Sequence, residues 1–300
     1  MKSSNLLKPY LALFVGALSV STSAILVKWV DAPAAVTAFY RLFLTVLFMT
    51  PFFIKYIPEL RTIPKRDWLF SVVSGVLLAF HFILWFESLN YTSVTSSVVL
   101  VTLQPLFAFI GAYIFFKERL TMGAALSGLL AIAGSMIISW GDFQISGKAL
   151  FGDILALLAC MMITGYWLFG QDLRKRLSLM TYTYVVYGVS SITLFLYVIL
   201  FQYPLFSYEK TDWICFVLLA IVPTLLGHSL MNWSVKWVSA TTISMSILFE
   251  PVGASILAYF LLGEIIQPSQ WIGGFFILIG IGTYLWSENR KRAFLAQESS

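Results

Sequence analysis

The sequence predicts an all-α membrane protein of ten transmembrane helices, built as two inverted repeats of five. Three observations carry that expectation: apolar runs of bilayer length, basic residues concentrated in alternate loops, and an internal repeat that aligns without a gap. Together they place the chain in lipid and imply a two-fold plan before any single residue is assigned a role.

The composition sets the solvent. Apolar residues make up 59% and charged residues 11% of 300, with mean hydropathy +0.87. Soluble domains run near 45–50% apolar and about 25% charged. A water-soluble fold cannot hide this much apolar surface, so a bilayer must take its place. Predicted spans fall at about 9–29, 34–53, 68–89, 92–115, 121–140, 150–170, 180–201, 213–235, 239–262 and 267–287. Lys2 and Lys8 ahead of the first run resemble a signal peptide. The run continues through Trp29 and Val30, and is read as the first membrane helix. The longest polar connection is Lys55–Asp67.

With ten spans, fifteen of the nineteen Lys and Arg fall on one face, at Lys2, Lys8, 55–66, 117–119, 174–176, Lys236 and 290–292. Only Lys28, Lys148 and Lys210 fall on the other, and Arg41 lies within a span. Cytoplasmic loops carry the basic excess, so both termini are expected in the cytoplasm. The net charge of +5 is thereby accounted for by membrane orientation and gives no reason to expect nucleic acid. Tryptophans at span ends, including Trp29, Trp68, Trp140, Trp213, Trp237, Trp271 and Trp286, fit an interfacial belt.

Ser93–Trp140 lies over Ser239–Trp286 at a constant offset of 146, with eleven of 48 positions identical. Among the matches are Ser93 with Ser239, Pro105 with Pro251, Glu118 with Glu264, Gly128 with Gly274 and Gly134 with Gly280. Shared hydrophobicity alone rarely aligns a proline, a glutamate and two glycines. The expected units are 1–140, 147–288 and a cytoplasmic tail 289–300. Five helices per unit is odd, so the second copy enters from the opposite face. Inverted repeats of this kind hold a solute near the midplane and alternate access by rocking.

Polar side chains within spans face a cavity or a partner. His81 and Trp85 are one turn apart in the third span, as are His228 and Asn232 in the eighth. Each histidine lines a shared cavity or bonds a nearby backbone carbonyl. Ser21 and Thr22 in the first span, and Thr164 and Trp167 in the sixth, occupy related places. The hydroxyls contact solute, bond their own helix or permit close packing, and Trp167 lines the cavity or joins the interfacial belt. Aromatic walls suit apolar or cationic parts of a solute. Pro105 and Pro251 lie mid-helix and act as a hinge or a fixed bend. Glu250 precedes Pro251, where the first copy has Gln104; Glu250 or His81 is expected to couple transport to protons. Arg41 is read as structural, snorkelling outward or pairing with a carboxylate. Small residues along the fifth and tenth spans, including Gly128, Gly134, Gly274, Gly280 and Gly282, serve core packing or a homodimer contact.

Cys160, Cys215 and two histidines form no ligand cluster, so neither metal nor cofactor is expected. No nucleotide-binding GxxxxGK[ST] motif occurs. Asp153 shows no evident partner, leaving no catalytic pair for an intramembrane enzyme. No charged ring suggests a channel filter.

On these residues the chain resembles the drug/metabolite transporter superfamily, in particular its EamA-like ten-helix members. The resemblance rests on AFYR at Ala38–Arg41, on HFILWFESLNYTSVTSSVVLVTLQP at His81–Pro105, and on ERLT at Glu118–Thr121 followed by Gly128. The second copy repeats the plan at Glu250–Pro251, Glu264, Gly274 and Gly280, but has Gly263 where the first has Lys117 and no match for Arg119. The resemblance implies a multi-pass cell-membrane protein, of a bacterial inner membrane, that exports or exchanges small organic solutes without ATP. Amino acids and related metabolites are the expected solutes. A drug, cation or nucleotide-sugar carrier, or a passive channel, is the alternative.

Overall fold

The computed structural model describes residues 7–118, 121–138, 147–263 and 265–298. Lys2, Arg119, Trp140 and Glu264 lie outside the described residues, as do the side chains of Lys291 and Arg292. Helical rods follow one another along the chain: α1 (Leu7–Lys28), α2 (Ala34–Leu60), α3 (Lys65–Ser88), α4 (Ser96–Phe116), α5 (Met122–Ile138), α6 (Gly147–Leu173), α7 (Leu179–Leu200), α8 (Lys210–Ser234), α9 (Ala240–Leu261) and α10 (Pro268–Glu298). Among the described residues, eight of these are long and apolar enough to cross a membrane; α5 is apolar but shorter. The second span runs past its expected end: after Pro51 a 3-10 turn at Ile54–Tyr56 leads into Ile57–Leu60, so much of the expected polar loop is helical. The tail, too, continues as helix through Glu298.

The neighbours of each rod follow a pattern. α3 lies along α6, α1 along α8, α7 packs on α2 and α3, and α5 lies along α10. Exchanging the two halves turns α3–α6 into α8–α1, α4–α6 into α9–α1 and α3–α7 into α8–α2, all of them real contacts. α2–α7, α4–α9 and α5–α10 map onto themselves. The α5–α10 contact explains the matched glycines. A Cβ on Gly134 would sit 2.6 Å from the Gly273 carbonyl oxygen, and one on Gly280 2.7 Å from Ala131 N. Backbones touch there, which only small residues permit. Gly128 and Gly274 face Phe109 and Val252, whereas Gly282 meets nothing within 4 Å.

Hydrogen bonds fix which ends lie together. At the end bearing the basic loops, Asp67 of α3 takes two bonds from Arg176 after α6 (2.8 and 2.9 Å). Glu59 of α2 accepts from Ser178 N and Oγ and from Thr181 Oγ1. Ser234 of α8 donates to Pro9 O of α1. Gln171 of α6 joins Glu118 after α4 to Ala240 N of α9. At the opposite end, Asp212 of α8 accepts from Asp31 N (2.9 Å). Asp153 of α6 accepts from Thr92 and from Ser96 of α4, partners that the sequence reading did not supply. So α1 starts at the basic end and α6 finishes there.

Three rods are broken. In α1, Ser19, Ser21 and Thr22 all turn their hydroxyls back to carbonyls of their own helix, and the helix divides at Thr22. In α4 the helix Val94–Val101 stops, and Gln104–Phe116 starts with Pro105 in its first turn. α9 divides likewise into Ala240–Ile247 and Glu250–Leu262, with Pro251 following Glu250. Neither proline bends a continuous rod as expected. Each opens a new segment, where its missing N–H has no helical partner to lose. Ser93 and Ser239 are the N-caps of the first segments, accepting from Ser96 N and Thr242 N. Segment ends also match. Lys117 and Gly263 both take left-handed backbone, at φ 56° and 67°, so the departure between the copies preserves one shape with different residues.

Candidate functional site

Between the halves, side chains of α1, α3, α4, α6, α8 and α9 enclose a cavity of about 20 Å³, room for roughly one water molecule. His81 and Trp85 of α3 line it, with Trp167 of α6, His228 of α8, Gln104 of α4 and Glu250 of α9. Val20, Val101, Ile163, Met231 and Ile247 supply apolar surface. The broken rods matter here: Gln104 and Glu250 are the first residues of the second segments of α4 and α9. Each sits where a helix restarts, beside the cavity.

Five polar atoms of this lining are buried without a hydrogen-bond partner among the described residues: Trp85 Nε1, Trp167 Nε1, Gln104 Oε1, His228 Nδ1 and Glu250 Oε1. Buried polar groups are nearly always satisfied. Five orphans around one void therefore mark a place built to hydrogen-bond something else. Two are indole donors and two are side-chain oxygens, a mixed set that suits a solute carrying both kinds of group. The aromatics form two near-parallel stacks. His81 lies on Trp85 at 5.8 Å and 19°, and His228 on Trp167 at 5.8 Å and 18°.

The histidines differ in their ties. His81 Nδ1 meets the Ala159 carbonyl oxygen at 3.0 Å across to α6, so the cavity and backbone readings both hold for it. His228 ends a nine-residue π-helical segment, Ala220–His228, that contains Pro223. Such segments are rare and collect at functional sites. Thr224, inside it, accepts from Arg41 Nε at 2.8 Å.

Arg41 is fully buried and neither snorkels nor forms an ion pair with a carboxylate, among the described residues. Its Nη1 donates to Ser23 Oγ, and its guanidinium carbon lies 4.2 Å from the centre of the Phe82 ring. Phe82 in turn stands 5.9 Å from the His228 ring. Arg41 is thus one aromatic layer behind the cavity wall.

Other expected contacts lie elsewhere. Ser21 and Thr164 bond carbonyls four residues back, and Thr22 bonds one three back; none of the three lines the cavity. Asn232 is held behind it by Tyr166, Tyr187 (3.3 Å) and the His228 carbonyl (2.9 Å). Trp167 is 0% exposed, and α6 runs on to Leu173, which removes the belt reading for it. Gln104 was missed as a site residue; its alignment with Glu250 was the available signal. Below the cavity, at the basic end, Asp172 and Asp67 hold the Arg176 guanidinium above its already high pKa.

The sequence matches the EamA-like transporter family twice, over residues 7–140 and 150–286. An uncharacterized transporter of Archaeoglobus fulgidus is 24% identical over 270 residues, covering 90% of this chain and 93% of that one. A riboflavin transporter of Fusobacterium nucleatum is 23% identical over 199 residues, covering 64% and 66%. A solved crystal structure superposes with a TM-score of 0.77 over 94% of this chain and 98% of the other, at 17% identity, a likeness of fold alone.

Proposed function

Because this chain belongs to the EamA-like transporter family of the drug/metabolite transporter superfamily, we propose that it is a secondary carrier of small organic solutes that works by alternating access about the cavity between its halves. The single observation that carries this reading is the ring of five unpartnered polar atoms around that cavity. At about 20 Å³ the cavity is far smaller than an amino acid, so this is a closed state of a site that must widen to load. The proposed frame is ten membrane helices in two inverted repeats, with both termini in the cytoplasm.

Amino acids and related metabolites are the proposed cargo, moved by export or exchange. Indole donors and the oxygens of Gln104 and Glu250 provide for carboxylate and ammonium groups, and the two His–Trp stacks favour a planar or aromatic portion. The relative named for riboflavin is consistent with a flat solute. Glu250 is the proposed proton carrier. Among the described residues it is the one carboxylate of the lining and forms no ion pair, and ionisable groups inside membrane bundles serve as proton relays.

Counterflow in proteoliposomes tests the carrier reading. Vesicles preloaded with unlabelled amino acids should accumulate labelled solute transiently, with a rate that saturates. Flux that grows linearly with concentration and shows no counterflow overturns the carrier in favour of a channel.

A further inference from the structure

We propose a second binding site, independent of the solute cavity, in which an anionic phospholipid docks at the basic end between α3, α4 and α6. A groove of about 320 Å³ opens there, walled by Phe70, Phe115, Phe116 and Phe169. Phe70 and Phe169 meet edge-on at 5.2 Å, and Phe115 is 66% exposed. This surface accepts hydrocarbon.

The rim decides which lipid. Arg66, in the first turn of α3, lies over Phe70 at 4.8 Å with its side chain 64% exposed. Among the described residues its polar contact is one 3.4 Å link to Asp172, long and solvated and hence weak. Lys175, after α6, lies over Phe116 at 5.5 Å, and exposed Lys117 follows Phe116 directly. The nearby carboxylates are already engaged. Asp172 takes a 2.7 Å bond from Arg176, Asp67 takes two more, and Glu118 accepts from Gln171. Arg66, Lys175 and Lys117 thus stand beside an apolar groove whose lining includes one carboxylate, Asp172, and that carboxylate is shared among Arg66, Lys175 and Arg176, which leaves positive charge in excess.

All of these residues lie at helix ends, the level of lipid headgroups. Basic pockets between membrane helices on the basic side bind anionic headgroups, each Lys or Arg contributing about fivefold. A phosphodiester bridging Arg66 and Lys175, with an acyl chain along the phenylalanines, satisfies rim and wall together. Soluble phosphate would use the rim alone.

The test uses the delipidated full chain in detergent, titrated with dioleoylphosphatidylglycerol or dioleoylphosphatidylcholine, and read by native mass spectrometry and thermal shift. Phosphatidylglycerol should bind and raise the melting temperature well beyond phosphatidylcholine. Arg66→Gln with Lys175→Gln should weaken it roughly 25-fold. Lys148→Gln with Lys210→Gln, the same charge change at the other end, should not. Lys175→Gln alone leaves in place the ion pairs found among the described residues and should cost about fivefold, which keeps the test valid if the double variant folds poorly. Equal binding of both lipids, no loss in Lys175→Gln, equal protection by inorganic phosphate, or a protein dimer that covers Phe115 would each overturn the proposal.

Discussion

The two halves share a plan and differ in how they are fastened. Asp67 and Asp212 open corresponding helices, α3 and α8, and each reaches the segment that follows the first helix of the other half. At the basic end Asp67 grips a guanidinium that also binds Asp172. At the opposite end Asp212 holds backbone N–H groups alone, that of Asp31 across the halves and that of Glu209 in the capping box of its own helix. The difference recurs deeper. Gln171 ties α4, α6 and α9 together at the basic end, and its counterpart by the repeat offset is apolar Ile25. A duplicated sequence thus specifies the same neighbours twice, while a few polar substitutions decide which end is held more firmly. On the proposed alternating-access reading, that imbalance would set the resting state.

Exchanging matched residues breaks or sharpens this comparison. The largest effect is expected at the cavity. Glu250→Gln should abolish the pH-driven component of uptake, whereas Gln104→Asn should keep it and weaken solute binding by about fivefold, the worth of one hydrogen bond; uptake at two imposed pH gradients separates them. Next come the touching backbones. Gly134→Val and Gly280→Val should each destabilise by about 3 kcal/mol, since overpacking at a backbone contact has no room to relax. Thermal unfolding in detergent checks this, with Gly282→Val as a neutral reference. Asp67→Asn should cost about 2 kcal/mol through its charge-assisted bonds, and Asp212→Asn about 1 kcal/mol through its cap. Cysteine accessibility should rise at the basic end for the first and at the opposite end for the second; equal behaviour would remove the asymmetry. Smallest are the left-handed positions. Lys117→Gly should stabilise and Gly263→Ala destabilise, each by about 1 kcal/mol.

Much of this was legible in the residues. Apolar length and basic loops located the rods, because a run of about twenty apolar residues crosses lipid by satisfying its backbone hydrogen bonds within one helix. The i,i+4 spacing of His81 and Trp85 brought them to one cavity, and Glu250 stood out as a carboxylate in an apolar run. Gln104 did not, since an amide raises no alarm in a span. For Ser21 and Thr22 solute contact and a bond to their own helix were equally open, and Thr164 lay in the related place; all three bond their own helix, because a hydroxyl beside its own helix carbonyl bonds that carbonyl first. For Trp167 a belt role competed with the cavity because α6 is longer than its hydropathy suggests; Gln171 and Asp172 continue the helix while finding polar partners at its end.

The wide coil of α8 has a consequence for chain length. His228 comes sixteen positions after Asp212, and His81 fourteen after Asp67, yet both rings border one void. A straight α-helix would carry the longer stretch about 3 Å further along its axis. The loosened winding of Ala220–His228 takes up that surplus, so the longer stretch still delivers its imidazole to the void.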